Sequence, residues 1–443
     1  MEKKTGEHLS SFTPLASIVL PGGKEIKPQG LILIVGPNSS GKTQFLRDVH
    51  QSILGTPRKL VVARAVGIKK PHAFDALVDA LSEEGYLRRE IAQDGRVLLK
   101  IRTSALGGST GIPPEVDYSS ASSWFDSFQE GKTSSSSQQF LSIFGGMLLT
   151  ALFLPNRLTT ANQTGSYDYE TQPPSNDLQA LYYSSDARKQ LENDVRATFR
   201  RAIWVDPTRG SILCFRIAEG PDLPSPEDRY SPDKVTKYRT MEDEGDGLRS
   251  FVAICMCLAL SRRPVCIIDE PEICLHPPQA YALGRIIARQ ATSHLATTLV
   301  STHSSHVLRG VISQSTDVQI IRLTRAAGQF SAHMVDSHLL RDATEKPLVR
   351  AETIFDGMFA DGVVLVESEG DRAVYQAVWE STPQISQLDI LFVPLNGKGP
   401  MADVATFFSA LRIPVAVVAD LDLIKDDGII PKLLVALTVD PDA

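Results

Sequence analysis

The sequence predicts an α/β protein with two successive parallel sheets. Three observations carry this reading. Apolar strand-like runs alternate with helical stretches along much of the chain, as in βαβ units. A glycine-bearing loop, Gly36–Thr43, stands between an apolar strand and a helix. After a polar stretch at 336–352, a fresh strand–helix–strand pattern begins.

Length and composition set the frame. A chain of 443 residues accommodates two or three domains, each with its own core. The net charge of −7 argues against a wholly basic nucleic-acid binder and leaves room for a local basic groove. Of Cys214, Cys255, Cys257, Cys266 and Cys274, four lie in apolar runs, and no Cys-x-x-Cys pair exists. Reduced, buried thiols are therefore expected rather than a zinc site. Met1–Ser10 is polar and has no signal-peptide core. The longest apolar stretch, 141–155, is interrupted by Gly145–Gly146 and is too short to span a bilayer. A cytoplasmic protein without a membrane partner is expected.

The elements follow in order. Strands are expected at 13–20 and 31–35, with the turn Pro21-Gly22-Gly23 between them. A helix should run from the glycine loop through Gln44–Leu54. Glu130–Gln139 and 156–180 are rich in small polar residues and read as loops. Helices follow at 178–201 and 247–261, with alternating residues at 211–218 between them. Strands at 264–269, 296–301 and 318–323 and a helix at 277–292 complete the first part. In the second part, strands are expected at 362–366, 389–394 and 414–419, with helices at 371–379 and 400–410. The segment 67–240 is too long for a simple connection and is expected to contain a helical insert that supports dimerisation.

The loop Gly36-Pro37-Asn38-Ser39-Ser40-Gly41-Lys42-Thr43 has the spacing G-x-x-x-x-G-K-[ST]. Its backbone N–H groups are expected to cradle phosphate at a helix N-terminus. Lys42 suits the β- and γ-phosphates of ATP, and Thr43 suits Mg²⁺. Far downstream, Val265–Ile268 leads into Asp269-Glu270. Asp269 suits water-mediated coordination of the nucleotide's Mg²⁺, and Glu270 suits the base that orients the attacking water. A third strand ends in Thr302-His303, which puts His303 near the γ-phosphate. A His303/His306 metal pair is the rival reading and lacks a third ligand nearby.

These motifs, with Asp269-Glu270-Pro271-Glu272 leading to Leu275-His276-Pro277 and Ser301-Thr302-His303, resemble the ABC/SMC/RecF group of ATPases. Within that group the acidic motif is most similar to the OLD (overcoming lysogenisation defect) family. The resemblance implies an ABC-type head across 1–350 that binds ATP between two copies. It also implies a signature loop, here Glu244–Ser250, in which Gly245 and Gly247 offer N–H groups to the partner's nucleotide. Gln138 and Gln139 are the candidates for the glutamine such heads hold beside the metal.

In the second part, Glu367 directly follows an apolar strand, with Asp371 four residues on, and Asp420-Leu421-Asp422 follows another strand. Carboxylates gathered at the C-terminal edge of a parallel sheet repel one another unless hard cations neutralise them. Mg²⁺ or Mn²⁺ is expected there. The arrangement resembles the Toprim domain shared by topoisomerases, primases and OLD-family nucleases. An alternative alignment starts at Glu369-Gly370 and leaves Ala373 in the second acidic position. Lys398 reads equally as a phosphate contact or a solvated turn residue, and Tyr375 as packing. Arg196, Arg200 and Arg201 read as DNA contacts or as a solvated helix face.

The whole resembles an OLD-like protein: an ABC-type ATPase head followed by a parallel α/β Toprim-like domain at 351–443, expected to be incomplete. The resemblance implies an ATP-regulated, metal-dependent DNA endonuclease, active as a homodimer or higher even oligomer in antiphage defence. The alternative is an ATPase scaffold whose second protein performs the effector chemistry.

Overall fold

The computed structural model describes residues 8–56, 58–101, 113–131, 134–170, 174–291, 296–315, 317–345, 352–382, 388–425 and 428–437. Its centre is a six-stranded sheet. In spatial order the strands are Gln329–Val335, Val318–Ala326, Gly30–Val35, Thr297–Ser301, Val265–Asp269 and Leu149–Leu152. All neighbours are parallel except the outer pair Val318–Ala326 and Gln329–Val335. The inner strands are covered on both faces, so their side chains are apolar without alternation. Ile32, Ile34, Ile267 and Leu299 pack with Phe45, Leu46 and Val49 of the helix Lys42–Ile53. Leu31, Leu33, Ile268 and Val300 face the opposite side, where helices Asp246–Leu260, Pro277–Ala291 and Ser305–Gln314 lie.

Three antiparallel sheets surround this centre. Leu15–Val19 pairs with Glu25–Ile26 and Ala65–Ile68. Leu87–Ile91, Val97–Ile101 and Glu115–Asp117 form a second sheet. Arg201–Asp206, Ile212–Glu219 and Arg239–Thr240 build the third, with Thr164–Gly165 on its flank. The segment 67–240 thus contributes helices such as Phe74–Glu83, Tyr118–Gln129 and Ser185–Phe199 together with strands. One of those strands, Leu149–Leu152, completes the central sheet.

Several elements differ from the sequence expectation. The helix expected at 178–201 is two, Asp177–Tyr183 and Ser185–Phe199. Ser184 breaks it by accepting the Ala187 N–H at the second helix's start. Ser134 does the same for a short helix, Ser135–Phe140, within the expected loop. Leu154–Thr160 is helical as well, opened by a proline in its first turn.

The second part is a three-stranded parallel sheet, ordered Ile390–Pro394, Gly362–Val366, Val415–Val418. Its apolar residues join the core beneath the helical face of the central sheet. Arg322, on the strand next to the phosphate-loop strand, reaches across to this part. Its Nε donates to the Met358 carbonyl at 3.1 Å and an Nη to that of Ala360 at 2.8 Å. No helix among the described residues is long and apolar enough to cross a membrane.

Candidate ATPase and metal sites

The phosphate loop is shaped by backbone that few residues adopt. Gly36, Ser39 and Gly41 have φ of 142°, 62° and 94°, which turns the loop into a concave row of N–H groups. A Cβ on Gly36 would lie 2.1 Å from the Leu323 carbonyl oxygen, so only glycine fits there. Lys42 begins the helix, and its Nζ donates to the loop carbonyls of Gly36 and Pro37, each at 2.9 Å. Burial pushes its pKa down, opposed by Glu270, Glu272 and Asp269. Asp48, six residues further, accepts the N–H groups of Val61, Val62 and Ala63 on one oxygen. That anchors a segment lining a cavity of about 550 Å³ with Phe330, whose ring abuts Gly41.

Parallel register brings the other motifs alongside. Asp269 pairs with Ser301, and Ser301 with Ile34 of the loop strand. Asp269 Oδ1 accepts from Thr43 Oγ1 at 2.9 Å and from Ser301 Oγ at 2.5 Å. The Thr43–Asp269 contact sets a hydroxyl and a carboxylate oxygen side by side, the type of oxygen donor that hard divalent cations take. Glu270 has a φ of 46°, and its N–H donates to the Ser301 carbonyl at 3.0 Å. Its Oε1 lies 3.3 Å from His303 Nδ1. That hydrogen bond holds the Glu270 carboxyl below its usual range and raises the His303 imidazole.

Two site residues escaped the sequence reading. Arg157, fully buried on the helix Leu154–Thr160, donates to the carbonyls of Asp269 at 2.6 Å and Glu270 at 3.1 Å. It braces the left-handed turn at Glu270 from behind. Nothing in its local sequence marks it, since its partners lie more than a hundred residues away. Glu272 stood in plain view within the acidic motif. It accepts from Thr302 Oγ1 and the His303 N–H, both at 2.8 Å.

Gly245 caps the helix Asp246–Leu260 and is exposed. Gly247 sits in its first turn, where a Cβ would meet the Cys274 carbonyl oxygen at 2.3 Å. This glycine lets the helix start pack onto the loop that follows Glu272. Gln138 and Gln139 lie on Ser135–Phe140, beside Gly55 at the far end of the phosphate-loop helix. That helix has 12 residues, about 18 Å of separation, so neither glutamine stands near the phosphate loop. Arg201 is engaged by Glu244 and Glu219, while Arg196 and Arg200 are exposed. Cys214, Cys255, Cys257 and Cys266 are buried and Cys274 is exposed.

In the second part, Val366 pairs with Pro394 and Val418, which aligns the strand ends. Ligand oxygens of Glu367, Asp420 and Asp422 lie within 4.8 Å of one another. Glu367 Oε1 accepts the Asp420 N–H at 2.9 Å. Three carboxylates this close form a donor set of the kind hard divalent cations take. Asp371, expected among them, is engaged elsewhere. It forms a capping box with Ser368, whose N–H and Oγ both donate to Asp371 Oδ2. Glu369, the alternative start of the motif, accepts from Arg372 at 2.6 Å. Lys398 follows the turn at Asn396 and Gly397 (φ 54° and 124°) and forms an ion pair with Asp422. Tyr375, expected to pack, is 40% exposed on the helix Glu369–Glu380. That helix buries none of its residues, and Val374 and Val378 share its exposed surface.

Comparison with known proteins accords with this two-part build. Residues 358–422 match the family model of the Toprim domain of overcoming-lysogenization-defect-like proteins. Residues 221–309 match an AAA-domain model whose description refers to AbiEii toxin and a Type IV TA system. No curated protein matches the chain. Among solved structures, an Smc head bound to the C-winged helix domain of ScpA is 12% identical, with a TM-score of 0.40. The match covers 73% of this chain and 98% of that one. The SMC head domain from Thermotoga maritima is 11% identical over 73% of this chain and 99% of its own, with a TM-score of 0.37. The chain carries an AAA-type ATPase domain followed by an OLD-like Toprim domain.

Proposed function

We propose that the chain is an ATP-regulated, metal-dependent DNA endonuclease that works as a homodimer or higher even oligomer. The observation that supports this most is the grouping of Glu367, Asp420 and Asp422 within 4.8 Å. Carboxylates so close are stabilised when a divalent cation neutralises them. Mg²⁺ or Mn²⁺ held there would supply Lewis acidity and an activated water for phosphodiester hydrolysis. Glu367 and Asp420, tied together by the Asp420 N–H, would hold the ion together with Asp422. Lys398, paired with Asp422, offers a cation to the DNA phosphate. Asp371 serves by capping the helix that follows Glu367.

In the ATPase domain, Lys42 is the cation for the β- and γ-phosphates. Thr43 and Asp269, already hydrogen-bonded, would hold the nucleotide's Mg²⁺. Glu270 orients the attacking water, and His303 contacts the γ-phosphate. The cavity beside Phe330 takes the base and ribose. Gly245 and Gly247 start a helix whose N-terminus suits the phosphate of a second protomer, and this is the reason for expecting a dimer. Antiphage defence in the cytoplasm, with a second protein as a further partner, is the biological setting the OLD-like Toprim domain suggests.

Plasmid nicking tests this reading, run on the longest natural form of the chain with Mg²⁺ or Mn²⁺, with and without ATP. Nicked circles that require metal, at a rate that ATP changes, are expected. No cleavage under any condition, with ATP hydrolysis intact, would refute it and favour the scaffold ATPase.

A further inference from the structure

The acidic motif holds a carboxylate that the chemistry above leaves unused. Glu272 is only 7% exposed. Its Oε1 accepts from Thr302 Oγ1 and from the His303 N–H, each at 2.8 Å, and lies 3.2 Å from His303 Nδ1. The same ring nitrogen lies 3.3 Å from Glu270 Oε1. Glu272 Oε2 has no hydrogen-bond partner among the described residues. Beyond its own backbone, this buried carboxylate contacts two consecutive residues, Thr302 and His303.

Two carboxylates at Nδ1 decide what the imidazole can do. They fix the hydrogen on Nδ1, so Nε2 becomes a donor only when the ring is protonated. They also favour that protonated form, against burial and the charge of Lys42. With Nδ1–H committed to the carboxylates, donation to a γ-phosphate from Nε2 requires the protonated ring. Burial pushes the Glu272 carboxyl up, and His303 is the leading influence that opposes this. His303 is thus the main compensation for Glu272, while for His303 the leading support is Glu270, with Glu272 adding to it.

We propose that Glu272 is a positioning residue for ATP hydrolysis: through its contacts with Thr302 and His303 it fixes the imidazole beside Glu270. This rests on the reading that Glu270 and His303 act on ATP at the phosphate loop. Thr302 and the His303 backbone tie the strand end to the acidic loop. The side-chain contact then places the ring against Glu270.

The test is steady-state ATP hydrolysis by Glu272→Gln, Glu272→Ala, His303→Ala and the Glu272→Gln/His303→Ala double variant, with ATP affinity measured for each. Glutamine keeps an acceptor for Thr302 and the His303 N–H but weakens the hold on the ring, because a neutral amide oxygen binds Nδ1–H less strongly than a carboxylate does. It therefore carries the test if the alanine variant fails to fold. Glu272→Gln is expected to keep KM and ATP affinity within about twofold while kcat falls roughly tenfold or more. In the His303→Ala background the same change should cost nothing further, because its target is gone. An unchanged kcat in Glu272→Gln, or losses that multiply in the double variant, would overturn the proposal while leaving the ATPase reading intact. No hydrolysis by the unmodified protein would overturn the ATPase reading, and this proposal with it.

Discussion

Replacing Arg322 by methionine should loosen the joint between the two parts of the molecule. Arg322 is 1% exposed and donates to the carbonyls of Met358 and Ala360, just ahead of the first Toprim strand, Gly362–Val366. Burial lowers its pKa to about 10, which corresponds to about 3 kcal/mol against holding the charge there. Two charge-assisted hydrogen bonds return about 1.5–3 kcal/mol each, so the buried charge is close to balanced while both bonds are made. Methionine fills similar space but leaves two buried carbonyls unpaired, at about 1–3 kcal/mol each. The expected net loss is about 2–6 kcal/mol. Arg322→Lys, able to keep one bond, should lose about half as much. Urea unfolding followed by tryptophan fluorescence is the assay, because Trp379 reports on the Toprim helix and Trp204 on the ATPase part. The Trp379 transition should move to lower urea in the variant. A loss under about 0.5 kcal/mol, the scale of an ordinary surface substitution, would refute the clamp.

Three further outcomes are expected. Lys42→Ala should abolish ATP binding in calorimetry, since it removes the cation at the loop; equal affinity would show that nucleotide binds elsewhere. Gly36→Ala should do the same with a lowered Tm, because its Cβ would strike the Leu323 carbonyl; normal binding would contradict the loop geometry. The His303–Glu270 pair carries a pH signature. With its pKa raised, His303 contributes stability that is complete below about 6.5 and is lost as pH rises through the raised value. Glu270, with its pKa lowered, contributes stability that is present above its ordinary value and lost as pH falls through the depressed one. The Tm deficit of His303→Ala should therefore shrink toward alkaline pH, and a deficit that stays constant would contradict the pairing.

Much of the ATPase site was legible because each motif carries its own local pattern. A strand, a glycine loop and a helix occur in sequence at 30–53, and strands end in acids at 269 and in Thr302-His303. Arg157 was not legible, because its task comes from tertiary contact with backbone carbonyls and not from spacing. The strand Leu149–Leu152 was hidden for another reason. A short strand buried on both faces has no alternation to read. The outer strand Gln329–Val335 turns back through Ala327 and Gly328 at φ of 48° and 80°, a tight turn without the usual Asn-Gly signal. In the Toprim part, the strand ends aligned Glu367, Asp420 and Asp422 as the spacing suggests. Asp371 followed a stronger local rule, the capping box with Ser368.

The proposed function gives one chain two independent chemistries. The most direct measurement takes Asp420→Ala and follows plasmid nicking with Mn²⁺ and ATP hydrolysis on the same preparation. Asp420 stands in the carboxylate group of the second sheet, and no residue of the phosphate loop contributes to that group. The expected result is nicking lost and ATP turnover unchanged. Nicking that persists in Asp420→Ala would place any cleavage activity outside the Glu367–Asp420–Asp422 group and contradict the account.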